Sequence, residues 1–151
     1  MPDGRTLAVN RRARYQYDIL DTIEAGVVLV GTEIKSAREG RANITEAFAK
    51  PNDGELWLLN AHIAQYSAGG PNNHDPTRPR KLLLHKSQIE KWTSQVTTGG
   101  LTIVPLRFYL TRHRAKVQLG LARGRQAHDK RRAIIDKMRE REAREAVRRR
   151  V

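Results

Sequence analysis

Between Tyr15 and Ala122 the apolar residues of this chain come in short runs, and a turn former ends nearly every one of them. Tyr15, Tyr17 and Ile19 alternate, Ile23 to Val30 is rich in β-branched residues, and Gly31-Thr32 interrupts. Period-two alternation and short β-branched runs mark strands, because successive strand side chains face opposite ways. Ile44 to Ala49 and Glu55 to Leu59 read as two more strands, joined by the turn sequence Pro51-Asn52-Asp53-Gly54. Leu101 to Leu110 and Lys116 to Ala122 read as a further hairpin. Pro105 carries no amide hydrogen for a ladder, so it implies a sheet edge or a bulge.

Helical signals are few. Glu33 to Glu39 predicts a short helix closed by Gly40. Ser87-Gln-Ile-Glu90 matches a capping box opening a helix with Ile89, Trp92 and Val96 on one face, stopped by Gly99-Gly100. Residues 66–80, rich in Gly, Pro and Asn, read as a long loop, and both tryptophans as core residues. About six short strands with two to three helices predict a mainly β fold, an OB-fold-like antiparallel barrel. The expected organisation is a flexible basic leader over 1–12, the barrel over 13–123 and a basic C-terminal tail over 124–151.

Charge narrows the partner. The chain carries 29 Lys+Arg against 16 Asp+Glu, and residues 123–151 alone hold 12 against 5. That tail has helix-forming composition and too little apolar surface to fold alone, which fits an arm that orders on a polyanion. Arg11, Arg12 and Arg14 run into Tyr15 and Tyr17, and Arg107 adjoins Phe108 and Tyr109, with Arg112, Arg114 and Lys116 close behind. Cations interleaved with aromatics suit phosphates and unpaired bases. Ile134, Ile135 and Met138 are too few for a membrane-binding helix face, so nucleic acid is the expected partner.

Signs of catalysis are lacking. The five histidines (His62, His74, His85, His113 and His128) have no metal-ligand spacing. Gly69-Gly70 lacks the Lys-Ser/Thr of a phosphate-binding loop, and the acids do not cluster as two-metal chemistry requires. The chain has no cysteine, and Met1 to Arg14 has no apolar core of the signal-peptide kind. The expectation is a cytoplasmic binding protein without metal or cofactor. Glu24, an acid in an apolar strand, reads either as an outward-facing strand residue or as a carboxylate accepting from base edges. A general single-strand binder and a basic ribosomal protein remain alternatives to a dedicated RNA partner.

Five segments in order carry a closer resemblance: Asn10 to Tyr17 (NRRARYQY), Glu24-Ala-Gly26, Gly31 to Ser36 (GTEIKS) with Arg38 and Gly40, Asn72 to His85 (NNHDPTRPRKLLLH), and Gly124 to Arg131 (GRQAHDKR). Together they resemble the SmpB family, the SsrA-binding proteins of bacteria, over residues 10–131. The resemblance implies an OB-like barrel that binds the tRNA-like domain of transfer-messenger RNA (tmRNA) and brings it to stalled ribosomes. A tail that folds in the empty messenger channel is implied as well. It implies RNA contacts by Glu24, Leu83 and His85, with Lys35, Ser36, Arg38 and Asn43 beside the same surface; Arg11, Arg12, Arg14, Tyr15 and Lys81 are further candidate RNA-binding residues. In the tail it implies Gly124, a decoding-centre signal of His128, Asp129, Lys130 and Arg131, and anchoring by Ile134, Ile135 and Met138. Small-subunit ribosomal RNA is the implied tail partner. Elongation factor Tu and alanyl-tRNA synthetase are implied only indirectly, through the shared RNA. His85 stands where some members have asparagine, and the tail lacks the tryptophan some members carry.

Overall fold

The computed structural model describes residues 4–112, 114–124, 138–139 and 141–144. In chain order the elements are β1 (Gly4–Val9), α1 (Ala13–Gln16), β2 (Tyr17–Val27), α2 (Gly31–Arg38), β3 (Ala42–Asn43), β4 (Phe48–Asn52), β5 (Glu55–Leu59), β6 (His62–Ile63), β7 (Arg80–Leu83), α3 (Lys86–Thr97), β8 (Thr102–Thr111) and β9 (Arg114–Gly124). Strands β8, β4, β5, β7, β2 and β9 pair in that order, and β9 pairs back onto β8, so six strands close an antiparallel ring. This is the OB-like barrel the sequence predicts. Only Ala49 of β4 pairs with β8, at Ile103, so the far half of β8 is left to pair with β1.

The local chemistry explains each join. Asp53 and Gly54 both have positive φ, as a two-residue hairpin between β4 and β5 demands. Gln88 Oε1 accepts the His85 amide hydrogen at 3.1 Å and caps α3. Helix α3 therefore begins at Lys86, and Ser87 sits in its first turn rather than at the cap. The bulge falls between Pro105 and Arg107, where proline cannot donate to the ladder. Leu56, Leu82, Ile103, Val117 and Leu119 fill the barrel, and Trp92 of α3 is buried against the same core.

Four expectations are corrected. Residues 4–9 are no loose leader: β1 pairs antiparallel with β8, from Gly4 opposite Thr111 to Val9 opposite Arg107. The next residue, Asn10, is buried; its amide donates to Pro105 O at 3.0 Å and its oxygen accepts from Ala13 N at 3.2 Å. Tyr15 belongs to α1, not to the strand after it. Residues 44–47 form a turn instead of the start of a strand: Asn43 Oδ1 accepts from Thr45 N, and Ala47 N donates to Ile44 O. Gly124 closes β9 opposite Tyr17, so the barrel runs from Gly4 through Gly124.

The long loop before β7 is ordered by polar groups buried along it. His74 Nε2 donates to Ile63 O at 2.8 Å, which leaves Nδ1 to accept from the Thr32 hydroxyl at 2.8 Å. At the loop's end Arg80, with no exposed surface, donates to Ala61 O and Pro76 O and to the carboxylate of Glu33, Nε to Oε2 2.6 Å. Arg78 adds a second bond to Glu33 Oε1 at 2.6 Å. Glu33 also accepts the Val30 amide hydrogen at 2.9 Å, so one buried carboxylate caps α2 and anchors the loop.

Candidate nucleic-acid interface

Strand alternation points Ala25 into the barrel and Glu24 and Gly26 outward, opposite Gln118 and Lys116 of β9. Lys116 in turn stands opposite Tyr109 of β8, and Tyr109 opposite Thr6 of β1. Four strands thus carry one outward polar row. The Tyr109 hydroxyl donates to Glu24 Oε2, and Lys116 Nζ lies 3.6 Å from Glu24 Oε1. Arg107 lies with its guanidinium 4.5 Å from the Tyr109 ring centroid, and its Nε donates to Thr6 Oγ1 at 2.9 Å.

Burial pushes the Tyr109 phenol up to about 12, helped by the hydrogen bond and charge of Glu24, while Arg107 pulls the other way. The phenol therefore stays protonated and donating at neutral pH. It holds one Glu24 oxygen and leaves the other, beside Lys116, facing solvent. Such a fixed carboxylate accepts from amino groups or sugar hydroxyls without first losing rotamer freedom. Arg107 and Tyr109 are legible in the sequence as a basic, aromatic pair. Thr6, which holds Arg107, escapes sequence reasoning because its strand reads as polar leader.

Glu24, Gly26, Leu83, Leu84, His85, Gln88 and Lys116 line one surface concavity. Gly26 suits a close approach: a Cβ there would lie 3.2 Å from Leu83 Cβ, a tight contact. Glycine lets β7 sit tight on β2 and presents Leu83, 51% exposed, beside Glu24. His85 is exposed at the N-terminus of α3, its backbone held by Gln88. Glu24 thus shares one groove with Leu83 and His85, some sixty residues later in the chain.

The remaining predicted residues fall elsewhere. Arg11, Arg12 and Asn43 line a separate concavity with Val9, Thr45 and Glu46, where Arg12 pairs with Glu46 at 3.2 Å. Arg14 and Tyr15 are exposed on α1, and Arg38 is exposed on α2, its carbonyl accepting from Arg5. Lys35 lies over the Tyr66 ring, 5.6 Å from the centroid. Lys81 is half-buried on β7 and pairs with Glu55 at 3.0 Å. Ser36 is a correction: it has no exposed surface because it faces the core from α2, so it cannot touch RNA. Gly124 is a second, being the last residue of β9 rather than the first of the tail. Trp57 is a third, half-buried on the outside of the barrel while Trp92 alone is core. His128, Asp129, Lys130, Arg131, Ile134 and Ile135 lie outside the described residues. Met138 is helical and exposed, as are 139 and 141–144. Among the described residues no helix is long and apolar enough to cross a membrane.

A closed barrel with a basic, aromatic outer face and a fixed carboxylate defines an OB-like RNA-binding protein. The family model described as SmpB protein matches residues 7–149, and the chain belongs to that family. It is 52% identical over 140 residues to the SsrA-binding protein of Mycolicibacterium smegmatis, covering 93% of this chain and 87% of that one. The SsrA-binding protein of Thermosynechococcus vestitus is 49% identical over 147 residues, covering 97% of each. A solved structure described as "tmRNA-SmpB: a journey to the center of the bacterial ribosome" superposes with a TM-score of 0.69 at 50% identity, over 83% of this chain and 92% of that chain.

Glu24→Ala should weaken RNA binding about tenfold or more even though it makes the surface more positive, because a charge-assisted acceptor is lost. Tyr109→Phe should weaken it less, by a few-fold, since the carboxylate remains but is free to turn. Fluorescence anisotropy with labelled RNA measures both. Tighter binding by Glu24→Ala would make Glu24 a plain surface acid.

Proposed function

We propose that this chain binds the tRNA-like domain of tmRNA and delivers it to stalled ribosomes, acting as an adaptor with no chemistry of its own. The observation that carries the reading is the convergence of Glu24, Leu83 and His85 on one groove in a chain whose family is SmpB. Glu24 accepts from base edges or sugar hydroxyls, Leu83 packs against the RNA, and His85 hydrogen-bonds or stacks. Lys116 and Arg107 neutralise phosphates beside them. Arg11, Arg12, Arg14, Tyr15, Lys35, Arg38, Asn43 and Lys81 supply the wider basic surface.

The tail beyond Gly124, helical at 138–139 and 141–144, is proposed to enter the empty messenger channel. There His128 to Arg131 meet small-subunit RNA at the decoding centre, and Ile134, Ile135 and Met138 anchor the arm. Elongation factor Tu and alanyl-tRNA synthetase come into contact only through the shared RNA, and the cytoplasm is the compartment this work requires. The test is competition. A hundredfold excess of unrelated tRNA or single-stranded oligonucleotide should leave binding to labelled tmRNA nearly unchanged. Ready displacement would instead make the barrel a general single-strand binder.

A further inference from the structure

Beyond the Glu24 groove, the outward faces of β4, β5 and β7 carry a row of which the proposed function uses only Lys81. Register places Lys50 opposite Trp57 and Trp57 opposite Lys81. A cation, an indole and a second cation therefore stand side by side on adjacent strands, about 4.8 Å apart. The flanking Ala49, Leu56, Leu58 and Leu82 are buried, so alternation turns Trp57 outward, where it is half-exposed. It lines a surface concavity with Lys50, Pro51, Asn52, Leu59 and Pro79.

Two features select the occupant. Lysines on both sides of the ring match phosphates, and Lys81 sits two residues before Leu83 on the same strand face, about 7 Å away. The row is thus continuous with the groove at Glu24 and His85. Glu55 holds Lys81 at 3.0 Å, but both side chains are about 40% exposed (41% and 40%). Exposed pairs of this kind are weak, and a phosphate can take the lysine from Glu55.

We propose that Trp57 is a stacking platform for an unpaired nucleotide of the RNA held at Glu24 and His85, with Lys50 and Lys81 on its flanking phosphates. The indole face accepts any base, so the contact adds affinity without sequence choice. The proposal rests on the reading that this chain binds tmRNA.

Titrating the native chain with the tRNA-like domain of tmRNA, while following tryptophan fluorescence and anisotropy of the labelled RNA together, tests it. Trp92 is 1% exposed, so a change on binding reports Trp57. The expected result is quenching that saturates together with binding. Trp57→Phe should still bind and lose the quenching; Trp57→Ala should bind about tenfold more weakly. Bound RNA with unchanged fluorescence would overturn the platform and leave the proposed function standing. Quenching only by ribosomes lacking this RNA would also overturn it, giving the row to ribosomal RNA. Failure of the RNA to bind at all would overturn both.

Discussion

Glu33→Gln should destabilise the fold by about 3–5 kcal/mol, the loss expected when one partner of a buried ion pair is removed. Glu33 and Arg80 have no exposed surface, and Arg80 bonds to Glu33 Oε2 at 2.6 Å. Glutamine keeps the shape but removes the charge that compensates Arg80 and turns an amide donor toward a guanidinium. The two backbone carbonyls that Arg80 also reaches, Ala61 O and Pro76 O, cannot replace a carboxylate. The Arg78 bond is disturbed as well, so α2 and the loop to β7 loosen together. In a chain of this size the melting temperature should fall by about 10 °C. Urea unfolding at pH 7 measures the loss, and an unchanged midpoint would show that the network is replaceable.

The pH dependence has a definite sign. Burial alone would raise the Glu33 pKa, but hydrogen bonds from Arg78 and Val30 and the charge and bonding of Arg80 outweigh it and hold it below the ordinary value of 4.5. A depressed folded-state carboxylate stabilises above its unfolded pKa, and that contribution is lost as pH falls through the folded value. The native chain should therefore lose stability in acid below about 4.5, the unfolded reference. Glu33→Gln should be flatter over the same range.

Ending the chain at Gly124 should abolish peptide tagging on stalled ribosomes while changing tmRNA affinity by no more than a few-fold. Gly124 is the last residue of β9, paired with Tyr17, so every strand of the ring is complete without residues 125–151. The Glu24 groove, the Tyr109 row and the buried Glu33 network all lie before that point. Truncation removes 11 Lys+Arg and 5 Asp+Glu, which lowers non-specific attraction to any RNA. Affinity is therefore best compared at physiological salt, where that contribution is weaker than at low salt. Tagging measured in a reconstituted translation system reads the tail separately. A large loss of affinity would sink the division into an RNA-binding barrel and a ribosome-binding tail. Normal tagging would remove the tail's role.

Much of the fold is legible from residues close together in the chain. Asp53-Gly54 specifies its hairpin because positive φ at two successive residues suits few others. Ile89, Trp92 and Val96 specify the buried face of α3, and Pro105 its bulge. Glu24, Leu83 and His85 stand out through family motifs, and the structure brings these three together. Ser36, from the same set of motifs, is a core residue, because α2 turns it inward while Lys35 beside it faces solvent. Trp57 fails in the opposite direction: its neighbours Leu56 and Leu58 are apolar, and only strand alternation distinguishes it from them.

By itself, the sequence determined what depends on neighbours along the chain: strand and helix periods, turn chemistry, the basic tail and an expected nucleic-acid partner. Tertiary structure decided what depends on residues far apart. It made a polar leader into β1 by offering it the free half of β8, some hundred residues later. It buried Glu33 against Arg80 and aimed Glu24 with Tyr109, 85 residues away. The physical reason is that backbone polar groups and charges are costly to bury until their partners are in place. A lone segment shows which groups need partners, and only closure of the barrel assigns them.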